Sequence, residues 1–235
     1  MEEKIFNLID KLGSDERNIL KDALSRQIEK FFDNQNNLTI VNDEQEKSFN
    51  LLASSLRKLA RNPESTPNNG IAYYGKPAWL STNLLSDLIN EGELRRNEPL
   101  EQIDHFLGCG GNIADKLASS DELLNFVTNI LGPVKSTGIA SYIYYDRVGL
   151  GIRPHVDTDV FSINLMLMLK HEPPTNNFPS ATVVFPPFQT PESYRLKIGE
   201  VMIMYGSSVI HTRTPIHENE VVHLLTIGFN PIREN

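Results

Sequence analysis

The stretch Tyr142-Ile143-Tyr144-Tyr145-Asp146-Arg147-Val148-Gly149-Leu150-Gly151-Ile152-Arg153-Pro154-His155-Val156-Asp157 decides how the rest of the chain is read. It opens as a Tyr-rich strand, crosses a Gly-containing turn and ends on His-x-Asp. In extended backbone, residues i and i+2 face the same way, so His155 Nε2 and an Asp157 oxygen can meet at one point while Val156 points away. Three residues thereby offer two metal ligands. Taken alone, the tripeptide reads equally well as a His capping a turn and an Asp opening one, so its neighbours carry the weight.

Toward the C-terminus, β-branched and aromatic residues come in short runs bounded by Gly, Pro and Asn. Candidate strands are Gly138 to Asp146, Val160 to Lys170, Ala181 to Phe185, Glu200 to Tyr205, Val209 to Thr212 and Val221 to Phe229. Their connections are too short for helical crossovers, which predicts a mostly antiparallel sandwich or barrel. Toward the N-terminus the apolar period is helical: Ile5, Leu8, Ile9 and Leu12, then Ile19 through Phe32, with further helices over roughly Glu44 to Arg61, Asn83 to Asn90 and Asp115 to Leu131. Arg61 to Gly70 reads as a loop. Gly132-Pro133 marks a change of layer within one domain spanning 1–235, with helical support and lid elements over 1–131 and the β-core over 134–233.

Of six histidines, His155, His171, His211, His217 and His223 all lie in the strand-rich part. His211 follows the strand Glu200 to Tyr205 and precedes the turn at Pro215, which suits it as a third donor. Two imidazoles and one carboxylate leave three open positions on an octahedral ion, the arrangement of an Fe(II) centre that binds a bidentate cosubstrate and O2. The chain here resembles the Fe(II)- and 2-oxoglutarate-dependent oxygenase superfamily over roughly Ser136 to Phe229. The matching features are the tyrosine strand, the His155/Asp157 pair and the Gly199-Glu200 apolar strand before His211. The resemblance implies an α+β fold with a double-stranded β-helix (jelly-roll) core behind an N-terminal helical layer, and a dioxygenase with His155, Asp157 and His211 as catalytic metal ligands. It also implies Fe(II) with 2-oxoglutarate as cosubstrate, whose oxidative decarboxylation to succinate and CO2 drives hydroxylation, desaturation or ring closure. Halogenating relatives carry a small residue where Asp157 stands.

Such enzymes usually hold the distal carboxylate of 2-oxoglutarate with an Arg about ten residues after the distal His, but here Val221-Val222-His223 occupies that stretch. Arg213, two residues past His211, is the first replacement, since period-2 geometry turns it toward the same cavity and its fork matches a carboxylate. Lys170, His223, and Tyr144 or Tyr145 as an auxiliary hydroxyl, are the other candidates; a surface charge beside a turn is the competing reading of Arg213. Arg153 reads as a partner for an anionic substrate group or as a surface ion pair. The polar loop from Pro173 to Pro179 is a candidate lid. Met166 and Met168 read as strand core, Gly108-Cys109-Gly110-Gly111-Asn112 as a loop with no strand before it, and His105, His171 and His217 as exposed or turn residues without carboxylate partners.

Composition narrows the function classes. With 40% hydrophobic and 22% charged residues the chain is an ordinary globular one, able to bury about 70% of its unfolded surface. Cys109 is the sole cysteine, which excludes an internal disulfide and Cys-based metal sites. A formal charge of -8 disfavours nucleic acid, and the acidic start and short apolar runs predict neither a secretory leader nor a membrane span. The expectation is a cytoplasmic enzyme acting on a small molecule such as an amino acid or biosynthetic intermediate, with O2. A cupin-like metalloenzyme without 2-oxoglutarate and a non-catalytic binding protein on the same fold are the rival readings.

Overall fold

The runs Leu165-Met166-Leu167-Met168-Leu169 and Val201-Met202-Ile203-Met204 are apolar at every position, the pattern of strands covered on both faces. In the computed structural model, which describes residues 2–60 and 66–232, both are central strands. The strands are β1 (Ile71–Gly75), β2 (Leu100–Glu101), β3 (Phe106–Cys109), β4 (Val134–Tyr145), β5 (Ile152–His155), β6 (Ile163–Glu172), β7 (Thr182–Phe185), β8 (Glu192–Tyr194), β9 (Val201–Met204), β10 (Ile210–Arg213) and β11 (Val221–Pro231). A large sheet runs β1-β9-β6-β11-β4-β3-β2 and a small one β5-β10-β7-β8, with antiparallel pairing between the named strands.

Side-chain parity divides the core. Met166, Met168, Met202, Met204, Val222 and Leu224 point between the sheets with Tyr145 and Leu150. Leu165, Leu167, Val201, Ile203, Leu225 and Ile227 point the other way, onto α4 (Thr82–Arg96), α5 (Asn112–Ala118) and α6 (Asp121–Leu131). The N-terminal helices α1 (Glu2–Ile9), α2 (Ser14–Ser25) and α3 (Asp43–Leu59) gather at the small sheet, where Phe49, Leu52 and Leu56 of α3 cluster with Phe185 and Ile210. The α+β architecture with a β-core behind helices is therefore as expected.

Local chemistry sets several boundaries. Asn42, Ser81 and Ser120 accept the N–H groups of Gln45, Leu84 and Leu123, capping α3, α4 and α6. The Ser120 cap splits the expected Asp115–Leu131 helix in two, and the expected helix from Ile19 to Phe32 stops at Ser25 before a 3-10 turn over Ile28–Phe31. Of the expected loop Arg61 to Gly70, residues 61–65 lie outside the described residues, as does residue 233 at the end of the expected core. Strand β3 corrects the reading of Gly108 to Asn112, because a strand does precede the two glycines. Its four residues are recruited by pairing with β4. The start of α5 is nonetheless closed to a phosphate, since Glu91 accepts the Ile113 and Ala114 N–H groups at 2.9 Å each. A Cβ on Gly111 would lie 2.3 Å from that carboxylate.

Candidate metal centre and its cavity

Strands β5 and β10 lie side by side with His155 directly opposite His211, their ring centroids 4.3 Å apart. Asp157, two residues beyond His155, returns to the same point, its Oδ1 3.4 Å from His155 Nε2 and 3.6 Å from His211 Nε2. The three donor atoms all lie within 4.8 Å of one another. Both imidazoles are fixed from behind: Nδ1 of His155 donates to the Arg153 carbonyl at 2.7 Å, and Nδ1 of His211 donates to the Val209 carbonyl at 3.0 Å. A carbonyl only accepts, so these bonds set the tautomer and leave each neutral ring with an Nε2 lone pair facing a carboxylate oxygen. Three lone pairs pointed at one another require a cation between them, either protons on the rings or a metal ion.

The ion-free electrostatics follow the same logic. Burial by itself would raise the Asp157 pKa, but the charges and hydrogen bonds of His211 and His155 hold it far below the usual carboxylate range. Burial would likewise lower His155, and Asp157 overrides it upward. Asp157 is held on every side. Asn164 Nδ2 donates to its Oδ2 at 2.9 Å, and its own N–H donates to the Gly206 carbonyl at 2.8 Å. Lys21 of α2 reaches its carbonyl at 3.2 Å. Gly206 is obligatory there, because a Cβ would sit 2.0 Å from Asp157 Oδ2.

A cavity of about 220 Å³ opens between the sheets over this cluster, walled by apolar residues including Ile143, Phe161, Met166 and Leu224. Arg213 shares it with His211, on the same face of β10. Its side chain is buried, with Nη2 donating to Ser180 Oγ at 2.7 Å, Cζ 5.4 Å from the Tyr145 ring centre, and Nε without a partner among the described residues. Burial pulls its pKa down. A buried guanidinium touching only neutral partners is an anion site by charge balance.

The remaining candidates divide between the cavity and the helix-packed face. Tyr145 lines the cavity, but its neighbour Tyr144 faces the helices by strand parity and donates to the Gly92 carbonyl at 2.7 Å. His223 is on that side too, edge-on to Tyr144 and 3.5 Å from Glu93. A register shift between β6 and β11 sets Lys170 opposite His223, where it pairs with Glu93 at 3.5 Å and Glu172 at 3.3 Å. The structure thus brings Arg213 and Tyr145 to the triad and leaves Tyr144, Lys170 and His223 in a separate cluster. Arg153 is exposed and 3.8 Å from Glu29, so the ion-pair alternative describes it. His105 corrects its reading as an exposed residue without a carboxylate: it lines the cavity with Nδ1 2.7 Å from Asp104. His171 likewise stands 3.5 Å from the buried Glu220, whereas His217 is exposed. The adjacent Asp104-His105 pair was the available sequence signal for the first. None existed for Asn164, Gly206 or Ser180.

No family profile matches the chain, and no curated protein matches it. Solved structures do. The non-haem α-ketoglutarate (2-oxoglutarate) dependent epimerase SnoN from nogalamycin biosynthesis is 11% identical with a TM-score of 0.55, over 67% of this chain and 78% of that one. A Pseudomonas putida prolyl-4-hydroxylase is 16% identical with a TM-score of 0.53, over 77% and 99%. HygX from Streptomyces hygroscopicus, solved with nickel, 2-oxoglutarate and hygromycin B, is 11% identical with a TM-score of 0.53, over 69% and 84%. The fold is thus the double-stranded β-helix of the 2-oxoglutarate–Fe(II) oxygenase structures.

Proposed function

We propose that the chain is a non-haem Fe(II)- and 2-oxoglutarate-dependent dioxygenase acting on a small molecule. The observation that carries the proposal is the meeting, in one cavity, of three facing metal donors and a buried guanidinium with no carboxylate in direct contact. His155 Nε2, Asp157 Oδ1 and His211 Nε2 would hold the metal. Fe(II) held by these residues would supply the O2- and 2-oxo-acid-dependent oxidation of an unactivated C–H bond.

The residues of the chain do the rest. The Arg153 and Val209 carbonyls hold both rings with Nε2 inward, and Asn164 takes Asp157 Oδ2 so that Oδ1 is left for the ion. Arg213 receives the distal carboxylate of 2-oxoglutarate, beside the face of Tyr145. Ile143, Phe161, Met166 and Leu224 keep bulk water off the reacting centre. The cavity takes a small molecule, and the three structures above include an epimerase and a hydroxylase, so one core serves several outcomes. Asp157 favours oxygen chemistry over halogenation, and hydroxylation is the simplest such outcome. The cupin-like alternative calls for further imidazole ligands, and no fourth donor joins the cluster among the described residues.

The test is anaerobic addition of Fe(II) and then 2-oxoglutarate to the purified protein, followed by visible absorption and, after air, by succinate release. A chelate charge-transfer band and succinate are expected. A folded protein that binds Fe(II) but gives neither is not an oxygenase of this kind.

A further inference from the structure

Behind Arg213, on the side away from the cavity, a buried chain of polar groups leads to a carboxylate. Ser180 Oγ accepts from Arg213 Nη2 at 2.7 Å and donates to Glu220 Oε1, also at 2.7 Å. A hydroxyl has one proton, so giving it to Glu220 commits the Ser180 lone pairs to Arg213. Glu220 Oε1 also accepts the Ser180 N–H at 2.7 Å, and Oε2 accepts the His217 N–H at 3.0 Å. His171 Nε2 flanks it at 3.5 Å. The Glu220 side chain is 0% exposed, Ser180 is 2% exposed and Arg213 4%. Two backbone N–H groups and a hydroxyl could be met by a neutral acceptor at lower desolvation cost, so the carboxylate answers what lies beyond them, His171 at 3.5 Å and Arg213 one hydroxyl away.

We infer that Glu220 and Ser180 are positioning residues for the dicarboxylate cosubstrate, a relay that holds the Arg213 fork in place without neutralising it. This rests on the oxygenase reading above. Placed in direct contact, Glu220 would occupy the fork and compete with an anionic ligand. Set one hydroxyl away, it balances part of the buried positive charge, fixes Nη2 and leaves the remaining N–H groups of the guanidinium, the unpartnered Nε among them, free of a competing carboxylate. The loop from Pro173 to Pro179 ends at Ser180, and Arg195 donates to the Pro179 carbonyl at 2.9 Å, so the relay also ties that loop to the cosubstrate seat.

The experiment compares two 2-oxo acids on the anaerobic Fe(II)-loaded protein, read by the charge-transfer band and by calorimetry with Ni(II) in place of Fe(II). 2-Oxoglutarate has a distal carboxylate and pyruvate has none, although both chelate through the same end. Ser180→Ala and Glu220→Gln are expected to weaken 2-oxoglutarate about tenfold, the scale of a hydrogen bond to a charged group, and to leave pyruvate unchanged. Glu220→Gln keeps the shape of the side chain, and unchanged pyruvate binding reports an intact metal site in either variant. If both variants keep the wild-type preference for 2-oxoglutarate, or weaken both acids equally, the relay is overturned while the oxygenase reading stands. If the wild-type protein binds metal but shows no preference for 2-oxoglutarate over pyruvate, the Arg213 assignment falls and the relay with it.

Discussion

Gly206→Ala adds one methyl group and tests how Asp157 is held. The new Cβ would lie 2.0 Å from Asp157 Oδ2 and 2.8 Å from its Cγ, where ordinary contact begins near 3.4 Å. Contact therefore requires a separation larger by 3.4 − 2.0 = 1.4 Å. The main chain has little room to give: the Gly206 carbonyl is held by the Asp157 N–H at 2.8 Å, and the N–H groups of Tyr205 and Ser207 are bonded to the Gly70 and Ser162 carbonyls. The φ of Gly206 is not in the left-handed region, so Ala meets no backbone penalty and the strain falls on the carboxylate. Metal–ligand distances tolerate only about 0.2 Å, so a shift of this size removes Asp157 from the ligand set. Since even outer-shell changes cost about 10–100-fold in metal affinity, Gly206→Ala should bind Ni(II) at least about 100-fold more weakly by anaerobic calorimetry. Overpacking should cost about 1–3 kcal/mol of stability, visible as a lower but cooperative melting transition. A folded Gly206→Ala protein with wild-type metal affinity would refute the argument that this glycine exists to seat the carboxylate.

Three further expectations separate the residues inside the cavity from those outside it. Arg213→Ala should raise the 2-oxoglutarate concentration needed for half-maximal succinate release by about tenfold or more, while Lys170→Ala, paired with Glu93 and Glu172 elsewhere, should leave it unchanged; the reverse ranking would transfer the role to Lys170. Tyr144→Phe removes a hydrogen bond to the Gly92 carbonyl in a fully buried position and should cost about 1 kcal/mol of unfolding free energy with no change in cosubstrate binding. Burial would raise the Glu220 pKa, but the His171 and Ser180 side chains and the Ser180 and His217 N–H groups bring it down to about 2 from an ordinary 4.5. A depressed carboxylate contributes stability that is present above pH 4.5 and is lost as pH falls toward 2. The melting-temperature difference between wild type and Glu220→Gln should therefore shrink between those two values, and a difference that stays constant would show that Glu220 is not the group titrating.

By itself the sequence determined which segments are strands and helices in outline, because period 2 and period 3.6 are local properties of side-chain order. It also brought together the candidate metal donors and the candidate carboxylate partner as far as parity allows, since His155 and Asp157 are two residues apart and Arg213 is two residues from His211. Parity fails wherever the ladder slips. The register shift between β6 and β11 sets Lys170 opposite His223. Where the ladder is regular parity holds, and the one-residue step from Tyr145 to Tyr144 exchanges the cavity for the helix-packed face. Strands β1, β3 and β5 are short and weakly patterned, and they exist because β9, β4 and β10 supply their hydrogen bonds. Only the tertiary structure decided that His211 stands opposite His155, that Gly206 makes room for Asp157, and that Glu220 lies one hydroxyl behind Arg213. Each of these is a pairing between residues far apart in the chain, chosen by the packing of two sheets and carrying no local periodicity that a linear reading could detect.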